Sequence, residues 1–140
     1  MNKREEELLR LARAVVEEAE ESAAANPKTE EVLIVVVEPD KKPYKKIIKN
    51  DLEPMKEIVG GWIEHVSIGD RKNGARLGII LNEEGKLIGL PFNRRIVGFD
   101  DLVGTFFLTA HNLEGDTVNL TEEEAAYFIE RFTPVEVYLR

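Results

Sequence analysis

A short polar cluster follows a proline near the centre of the chain. In the stretch "GLPFNRR", Pro91 fixes its own φ and holds Leu90 extended, so the backbone is stiff just before Asn93. The planar guanidinium of Arg94 suits a carboxylate or phosphate, and the amide of Asn93 both donates and accepts hydrogen bonds. Residues 91–95 are therefore a candidate loop for binding an anion or a partner.

Residues from other segments could complete such a site. Arg95 adds a second cation, and Thr105 adds a hydroxyl if its strand lies beside the loop. Tyr44 and Trp62 could form an aromatic wall for a planar ligand. The candidate ligand- or partner-binding residues are then Tyr44, Trp62, Pro91, Asn93, Arg94, Arg95 and Thr105.

The same residues also have a purely structural interpretation. Asn93 could satisfy only the backbone of its own loop, and Tyr44 and Trp62 could be core residues. Arg94 could pair with a carboxylate of its own chain, for which the candidates are Glu38, Glu53 and Glu64. The sequence leaves both interpretations open.

No catalytic motif accompanies this loop. The sequence contains no phosphate-binding G-x-x-x-x-G-K-[ST], no G-x-G-x-x-G after a strand and no G-x-S-x-G. The two histidines, His65 and His111, lie far apart outside any metal-ligand spacing and are interpreted as ordinary strand or loop residues. The sequence therefore predicts a non-enzymatic protein with no cofactor and no metal.

Composition narrows the class of protein and of partner. The 140 residues include no cysteine, which excludes disulfides, and their net charge is −8. The N-terminus "MNKREEELLR" is charged where a secretory leader needs an apolar core, and the longest apolar run, "VLIVVV", has the length of a strand. We therefore expect a cytoplasmic protein without a membrane partner. The negative charge argues against direct nucleic-acid binding and favours a basic partner.

Residues 3–25 have the clearest helical pattern. Leucine, valine and alanine recur at helical spacing between glutamates and arginines, and Pro27 follows the end of the pattern. The apolar stripe predicts that this helix docks on the sheet of its own chain. A homodimer through the helix is the alternative.

The rest of the chain predicts an α+β fold. Strands are expected at 31–38 (buried, both faces covered), 44–48 (a lysine-bearing edge), 62–68, 75–82 and 102–110, and helices at 51–59 and 122–132. "KLIGL" is expected to pair back as a hairpin, "PFNRRIVGFD" to be irregular, and "VEVYL" to be a short last strand. The predicted architecture is a mostly antiparallel sheet with two or three helices packed on it, plus the N-terminal amphipathic helix. Residues 1–29 are interpreted as helix and linker, and residues 30–140 as one domain.

Five stretches occur in a fixed order between residues 32 and 133: "VVEPDKKPYKKII", "LEPMKEIVGGWIE", "ILNEEGKLIGLPFNRR", "VGTFFLTA" and "LTEEEAAYFIERF". Together they resemble a domain-of-unknown-function family of small proteins from phages, plasmids and other mobile elements of bacteria. The resemblance implies no established reaction. It implies an accessory gene, and such genes often encode proteins that inhibit or sequester host factors.

Three functional hypotheses follow. The first is a non-enzymatic binding protein that inhibits or sequesters a host factor through its acidic surface. The second is a binding or sequestering protein for a small anionic, nucleotide-like ligand held by Asn93 and Arg94. Family members usually begin near the first strand, so the helix at 3–25 is an extension, and an engineered or generated scaffold without native function is the third hypothesis.

Overall fold

The computed structural model describes residues 2–139 of the chain. These residues contain three helices and nine strands. The helices are α1 (Lys3–Ala25), α2 (Leu52–Val59) and α3 (Glu122–Phe132). The strands are β1 (Glu31–Val37), β2 (Tyr44–Lys49), β3 (Ile63–Asp70), β4 (Arg76–Asn82), β5 (Phe92–Ile96), β6 (Asp100–Val103), β7 (Phe106–His111), β8 (Thr117–Val118) and β9 (Glu136–Val137). The predicted α+β class is confirmed.

An antiparallel sheet of six strands forms the centre of the fold. Its order is β2-β1-β7-β4-β3, with β8 paired to β7. A second sheet has the order β6-β5-β9, in which β5 is antiparallel to β6 and parallel to β9. The lysine-bearing strand β2 lies at an edge, as predicted, whereas the second sheet is not in the sequence prediction.

Strand β1 is covered on both faces. Alternate residues face opposite ways, so Val32, Ile34 and Val36 join one apolar cluster and Val35 and Val37 join another. Met55 and Val59 of α2 belong to the first cluster, and Phe128 and Phe132 of α3 belong to the second. The prediction of a buried strand with both faces covered is confirmed.

Two predictions for residues 86–100 are wrong. "KLIGL" does not pair back as a strand, because residues 83–89 close a turn in which Leu90 N donates to Gly85 O at 3.0 Å. "PFNRRIVGFD" is not irregular, because β5 pairs with β6 around a turn at residues 97–99. An irregularity in the β5–β6 ladder hides the alternation that would have predicted these strands.

The single strand predicted at residues 102–110 is divided in two. Gly104 has a φ of +70°, a left-handed conformation that L side chains rarely adopt, and it redirects the chain from β6 to β7. A Cβ at this position would lie 2.6 Å from Leu90 Cδ1. The left-handed backbone therefore favours glycine here, and the Leu90 side chain would have to shift to admit a Cβ.

The prediction that α1 docks its apolar stripe on the sheet is wrong. Leu8, Leu11, Val15 and Val16 are each more than half exposed. The faces of β1 that the stripe could cover are already occupied by α2 and α3.

The C-terminal end of α1 is attached to the rest of the protein by hydrogen bonds. Leu113 N donates to Ser22 Oγ at 3.1 Å, and Asn112 Nδ2 donates to Asn26 O at 3.1 Å. Arg71 also donates to the side chain of Asn26. The helix is therefore held at one end while its apolar stripe faces outward.

Replacing Gly104 with alanine tests the requirement at the β6–β7 junction. We expect Gly104→Ala to lower the free energy of unfolding by about 3 kcal/mol, because a left-handed alanine is strained and its Cβ would collide with Leu90. Gly98→Ala is the matched control, since Gly98 also has a positive φ, +81°, but open space around its Cβ. Chemical denaturation should give about 1 kcal/mol for the control. Equal losses in the two variants would show that Leu90 does not constrain this position.

Candidate functional site

Asn93 and Arg94 are adjacent in the chain, yet both are buried. Their residues are 2% and 3% exposed, although neighbours on a strand normally point to opposite faces. The register between β5 and β6 shifts between Phe92 and Arg94, so the strand contains an extra residue there. This bulge turns both side chains inward.

The guanidinium of Arg94 donates to carbonyl oxygens of its own chain. Nε donates to Phe132 O at 2.7 Å, Nη2 to Lys41 O at 2.7 Å and Nη1 to Asn93 Oδ1 at 2.8 Å. Burial lowers the pKa of Arg94, and the nearby Asp40 carboxylate partly opposes that change. Arg94 thus joins β5 to the end of α3 and to the β1–β2 connection.

The carboxylates considered in the sequence analysis are not its hydrogen-bond partners. Carbonyl groups take the place of Glu38, Glu53 and Glu64 around the guanidinium. The anion-binding hypothesis at Arg94 stays a prediction. The buried position of Arg94 gives this hypothesis no support, because the guanidinium donates its hydrogen bonds to oxygen atoms of the protein itself.

The amide of Asn93 connects the two sheets. Its Nδ2 donates to Val37 O at 2.9 Å, at the end of β1, and to Gly104 O at 2.7 Å, beside β6. Its Oδ1 accepts the hydrogen bond from Arg94. We call the pair the Asn93–Arg94 clamp, since together they bind the small sheet to the large sheet and to α3.

The other predicted site residues near the clamp lie around it. The oxygen of Pro91 accepts a hydrogen bond from Gly104 N at 2.7 Å, and Thr105 follows Gly104 directly and is half-buried. Arg95 is exposed and pairs with Asp101 across the β5–β6 ladder, with Nε 2.7 Å from Oδ1. The structure therefore brings residues 91–95 and Thr105 together.

Tyr44 and Trp62 do not form one aromatic wall. Tyr44 begins β2 and Trp62 precedes β3, and these strands are the opposite edges of the large sheet. Four inter-strand spacings separate those edges, which is roughly 19 Å. Trp62 is 61% exposed, and the ammonium of Lys56 lies 3.8 Å from the centroid of its ring.

The turn between β4 and β5 presents the most exposed large apolar side chain among those described. Leu87 is 88% exposed, and its neighbour Ile88 is 57% exposed. Leu87 borders a groove of about 160 Å³. We call this surface the Leu87 face and define it by Glu64, Glu83, Leu87, Asp100, Asp101 and Val103, which all line the groove.

The turn that carries Leu87 is well supported. The buried Asn82 donates from Nδ2 to Val59 O at 3.2 Å and accepts from Glu84 N through Oδ1 at 2.8 Å. Glu83 N donates to Trp62 O at 2.9 Å, and Leu90 N closes the turn on Gly85 O. Leu87 is therefore displayed on a backbone held at both ends.

The Leu87 face is acidic. It contains four carboxylates, and two cations offset them: Lys86, which also lines the groove, and Arg95, which pairs with Asp101, so the net charge is −2. Lys86 Nζ lies 2.7 Å from Asp100 Oδ1, and the hydrogen bond from Arg95 lowers the pKa of Asp101. Glu64 and Glu83 are exposed beside them. A positively charged ligand or partner would meet complementary charge here.

His65 and His111, which the sequence analysis interpreted separately, touch each other. Their ring centroids are 4.1 Å apart at an angle of 66°. Strand β4 lies between their strands, and Gly78 leaves the necessary space, because a Cβ there would lie 2.3 Å from His65 Nε2. The two histidines meet because β3 and β7 flank the same strand. Since that strand order depends on residues far apart in the chain, the spacing of the histidines in the sequence could not predict the contact.

The environment of the histidine pair keeps it neutral. Burial lowers the pKa of His65. Burial and the neighbouring His65 together lower the pKa of His111 to about 4. No group of three or more histidine, aspartate or glutamate residues suited to a metal ion occurs within residues 2–139.

A wider groove of about 620 Å³ lies between β2 and α3. Lys42 and Lys45 line it together with Glu122 and Glu130, and Lys45 Nζ lies 3.0 Å from Glu122 Oε2. Its charges balance, so they favour neither an anion nor a cation. Within the described residues, no helix has the length and apolar character needed to cross a membrane.

Residues 31–133 match the family described as a domain of unknown function, DUF3846. The chain belongs to this family. The matched region contains the Asn93–Arg94 clamp, the Leu87 face and the histidine pair, whereas α1 precedes it. Comparison with curated proteins and with solved structures finds no match to this chain.

Replacing each arginine of the adjacent pair separates a structural role from a surface role. Arg94→Ala should lower the free energy of unfolding by about 3 kcal/mol, because it leaves buried carbonyl groups without donors. Differential scanning calorimetry should show a fall in the melting temperature of roughly 6–12 °C. Arg95→Ala, which removes an exposed ion pair, should leave the melting temperature unchanged. Equal effects of the two substitutions would contradict the assignment of the clamp.

The histidine pair should make stability depend on pH. The native pKa of His111 is depressed to about 4, so the unfolded chain takes up a proton below its own pKa of 6.5 and the folded chain does not. The contribution of neutral His111 to the free energy of unfolding is complete above pH 6.5 and is lost as pH falls towards 4. Between pH 7 and 5 the loss should be on the order of 1 kcal/mol, reduced by the partial exposure of the ring.

Two measurements check this pH dependence. Proton NMR of the ring hydrogens should show His111 still neutral near pH 5. The free energy of unfolding, measured by chemical denaturation, should fall more steeply from pH 7 to 5 for the natural chain than for His111→Gln. Between pH 7 and 8 the two proteins should change in parallel. Identical slopes over the acidic interval would rule out the coupling.

Proposed function

We propose that this protein is a non-enzymatic binding protein that captures a basic protein partner at its Leu87 face. One observation carries the proposal. Leu87 is 88% exposed on a supported turn and is surrounded by carboxylates. The proposal thus gives a location to the acidic-surface hypothesis of the sequence analysis.

The apolar part of the Leu87 face can supply affinity. Transferring a leucine side chain from water to an apolar environment is favourable by about 1.5–3 kcal/mol. The exposed Leu87 would gain that free energy only when a partner covers it. Ile88 extends the apolar surface, and Phe92, 45% exposed, lies opposite Val103 in the β5–β6 ladder. Since the turn is already ordered, little conformational entropy remains to be lost when a partner binds.

The carboxylates can supply selectivity. A net charge of −2 around an apolar centre attracts lysine- and arginine-rich surfaces and repels acidic ones. The whole chain carries −8, so long-range attraction acts in the same direction. A basic protein that normally binds nucleic acid has the required charge.

The family resemblance suggests what binding would accomplish. In an accessory protein of a phage or mobile element, the partner would be a host factor, and covering its basic surface would sequester it from nucleic acid. The face would act by occlusion, and no bond to the partner would be made or broken. Inhibition would then scale with the fraction of partner bound.

The proposal predicts that a charge placed at Leu87 abolishes capture without affecting the fold. Natural protein and Leu87→Glu would be immobilised and exposed to bacterial lysate. Ile47→Glu is the matched control, because Ile47 is 63% exposed on β2, far from the face. A captured protein would be identified by mass spectrometry, purified and titrated by calorimetry.

The expected partner is basic, and its dissociation constant should rise at least about tenfold for Leu87→Glu and remain unchanged for Ile47→Glu. Raising the salt concentration should weaken binding by the natural chain. The melting temperatures of both variants should equal that of the natural protein. Undiminished binding by Leu87→Glu would reject this face as the binding site.

A further inference from the structure

The apolar stripe of α1 is left uncovered by the rest of the fold. Leu8, Leu9, Leu11, Val15 and Val16 are all more than half exposed. Ala12 and Ala19 lie in the same stripe at helical spacing. A helix that exposes this much apolar side chain to water is stabilised when another surface covers it.

We propose that the occupant is α1 of a second copy of this chain, packed in the antiparallel direction. The inference is independent of the Leu87 face, to which no residue of α1 contributes. Two features of α1 select this occupant and this direction. They are the order of large and small residues along the stripe and the distribution of charge along the helix.

The residues of the stripe are complementary to their own reversed order. In a heptad pattern Ala12 and Ala19 take the a positions, and Leu8 and Val15 take the d positions. An antiparallel partner then places Leu8 against the partner's Ala19, and Ala12 against the partner's Val15. Each layer combines a large with a small side chain, so two-fold symmetry gives four evenly filled layers.

Charge separates the antiparallel from the parallel arrangement. Residues 3–13 contain four basic and three acidic side chains, a net charge of +1. Residues 14–25 contain four glutamates and no basic residue, a net charge of −4. Antiparallel pairing sets the +1 half against the −4 half, whereas parallel pairing would set −4 against −4. The opposed helix dipoles favour the same direction.

The attachment of α1 is compatible with such a dimer. Ser22, the next d position, is already buried against the rest of the chain, so the paired segment ends at Ala19. A 23-residue helix is about 34 Å long, so antiparallel pairing keeps the two α+β bodies at opposite ends. Four core layers are few, so monomer and dimer should interconvert with protein concentration.

Sedimentation equilibrium of the full chain tests whether the dimer exists. The apparent mass should rise with concentration from 15.9 kDa towards twice that value. Val15→Glu, which puts a carboxylate into a core layer, should remain at the monomer mass with an unchanged melting temperature of the α+β body. Ala14→Glu adds the same charge on the opposite side of the helix and should still dimerise. A monomer mass for the natural chain at every concentration, or a dimeric Val15→Glu, would overturn the proposal.

Cysteine cross-linking tests the direction, and the absence of natural cysteines makes the result unambiguous. Leu8→Cys and Ala19→Cys chains would be treated with oxidised glutathione, separately and mixed. In the antiparallel register two copies of residue 8 lie about 16 Å apart along the axis, too far for a disulfide. We therefore expect a covalent dimer in the mixture and little in either variant alone. Efficient cross-linking of Leu8→Cys by itself would establish the parallel arrangement and overturn the antiparallel one.

Discussion

A buried guanidinium must find oxygen atoms inside the protein, and this requirement organises the fold. Arg94 meets it with carbonyl groups from three places: the β1–β2 connection, the end of α3 and the neighbouring Asn93. Each of those carbonyls also needs a donor, because an unpaired buried polar group costs about 1–3 kcal/mol. The cationic side chain and the chain segments around it are therefore positioned by the same hydrogen bonds. Asn93 extends this dependence to β1 and to Gly104.

The same constraint also fixes the position of the neighbouring surface turn. Because the clamp fixes β5, and Gly104 N donates to Pro91 O, the chain entering β5 has a defined position. The turn before it can then display Leu87 without becoming mobile. The sequence "FNRR" suggests an exposed basic loop. In the structure this segment instead holds in place the turn that carries the neighbouring acidic surface. The charged residues of a sequence motif do not by themselves show whether their side chains point into the protein or towards solvent.

Local patterns in the sequence predict the helices, the central strand and the α+β class, because each depends on residues close together in the chain. The capping box of α3 is an example, with Thr121 and Glu124 bonded to each other's backbone. The misplaced features depend on distant partners. The bulge at Asn93 needs β6 to define it, and the histidine contact needs Gly78 on the strand between. The exposure of α1 follows from the occupation of the β1 faces by two other helices.

The edges of the large sheet have a consequence for the protein in concentrated solution. An open edge offers unpaired backbone groups to another molecule, and two such edges would allow sheets to join edge to edge into fibrils. Strand β2 carries Lys45, Lys46 and Lys49, whose charges would repel an identical edge. At the other edge, the register of β3 shifts between Ser67 and Gly69, and such irregularities bend a strand away from flat pairing. The two edges thus guard against aggregation by different means, one electrostatic and one geometric.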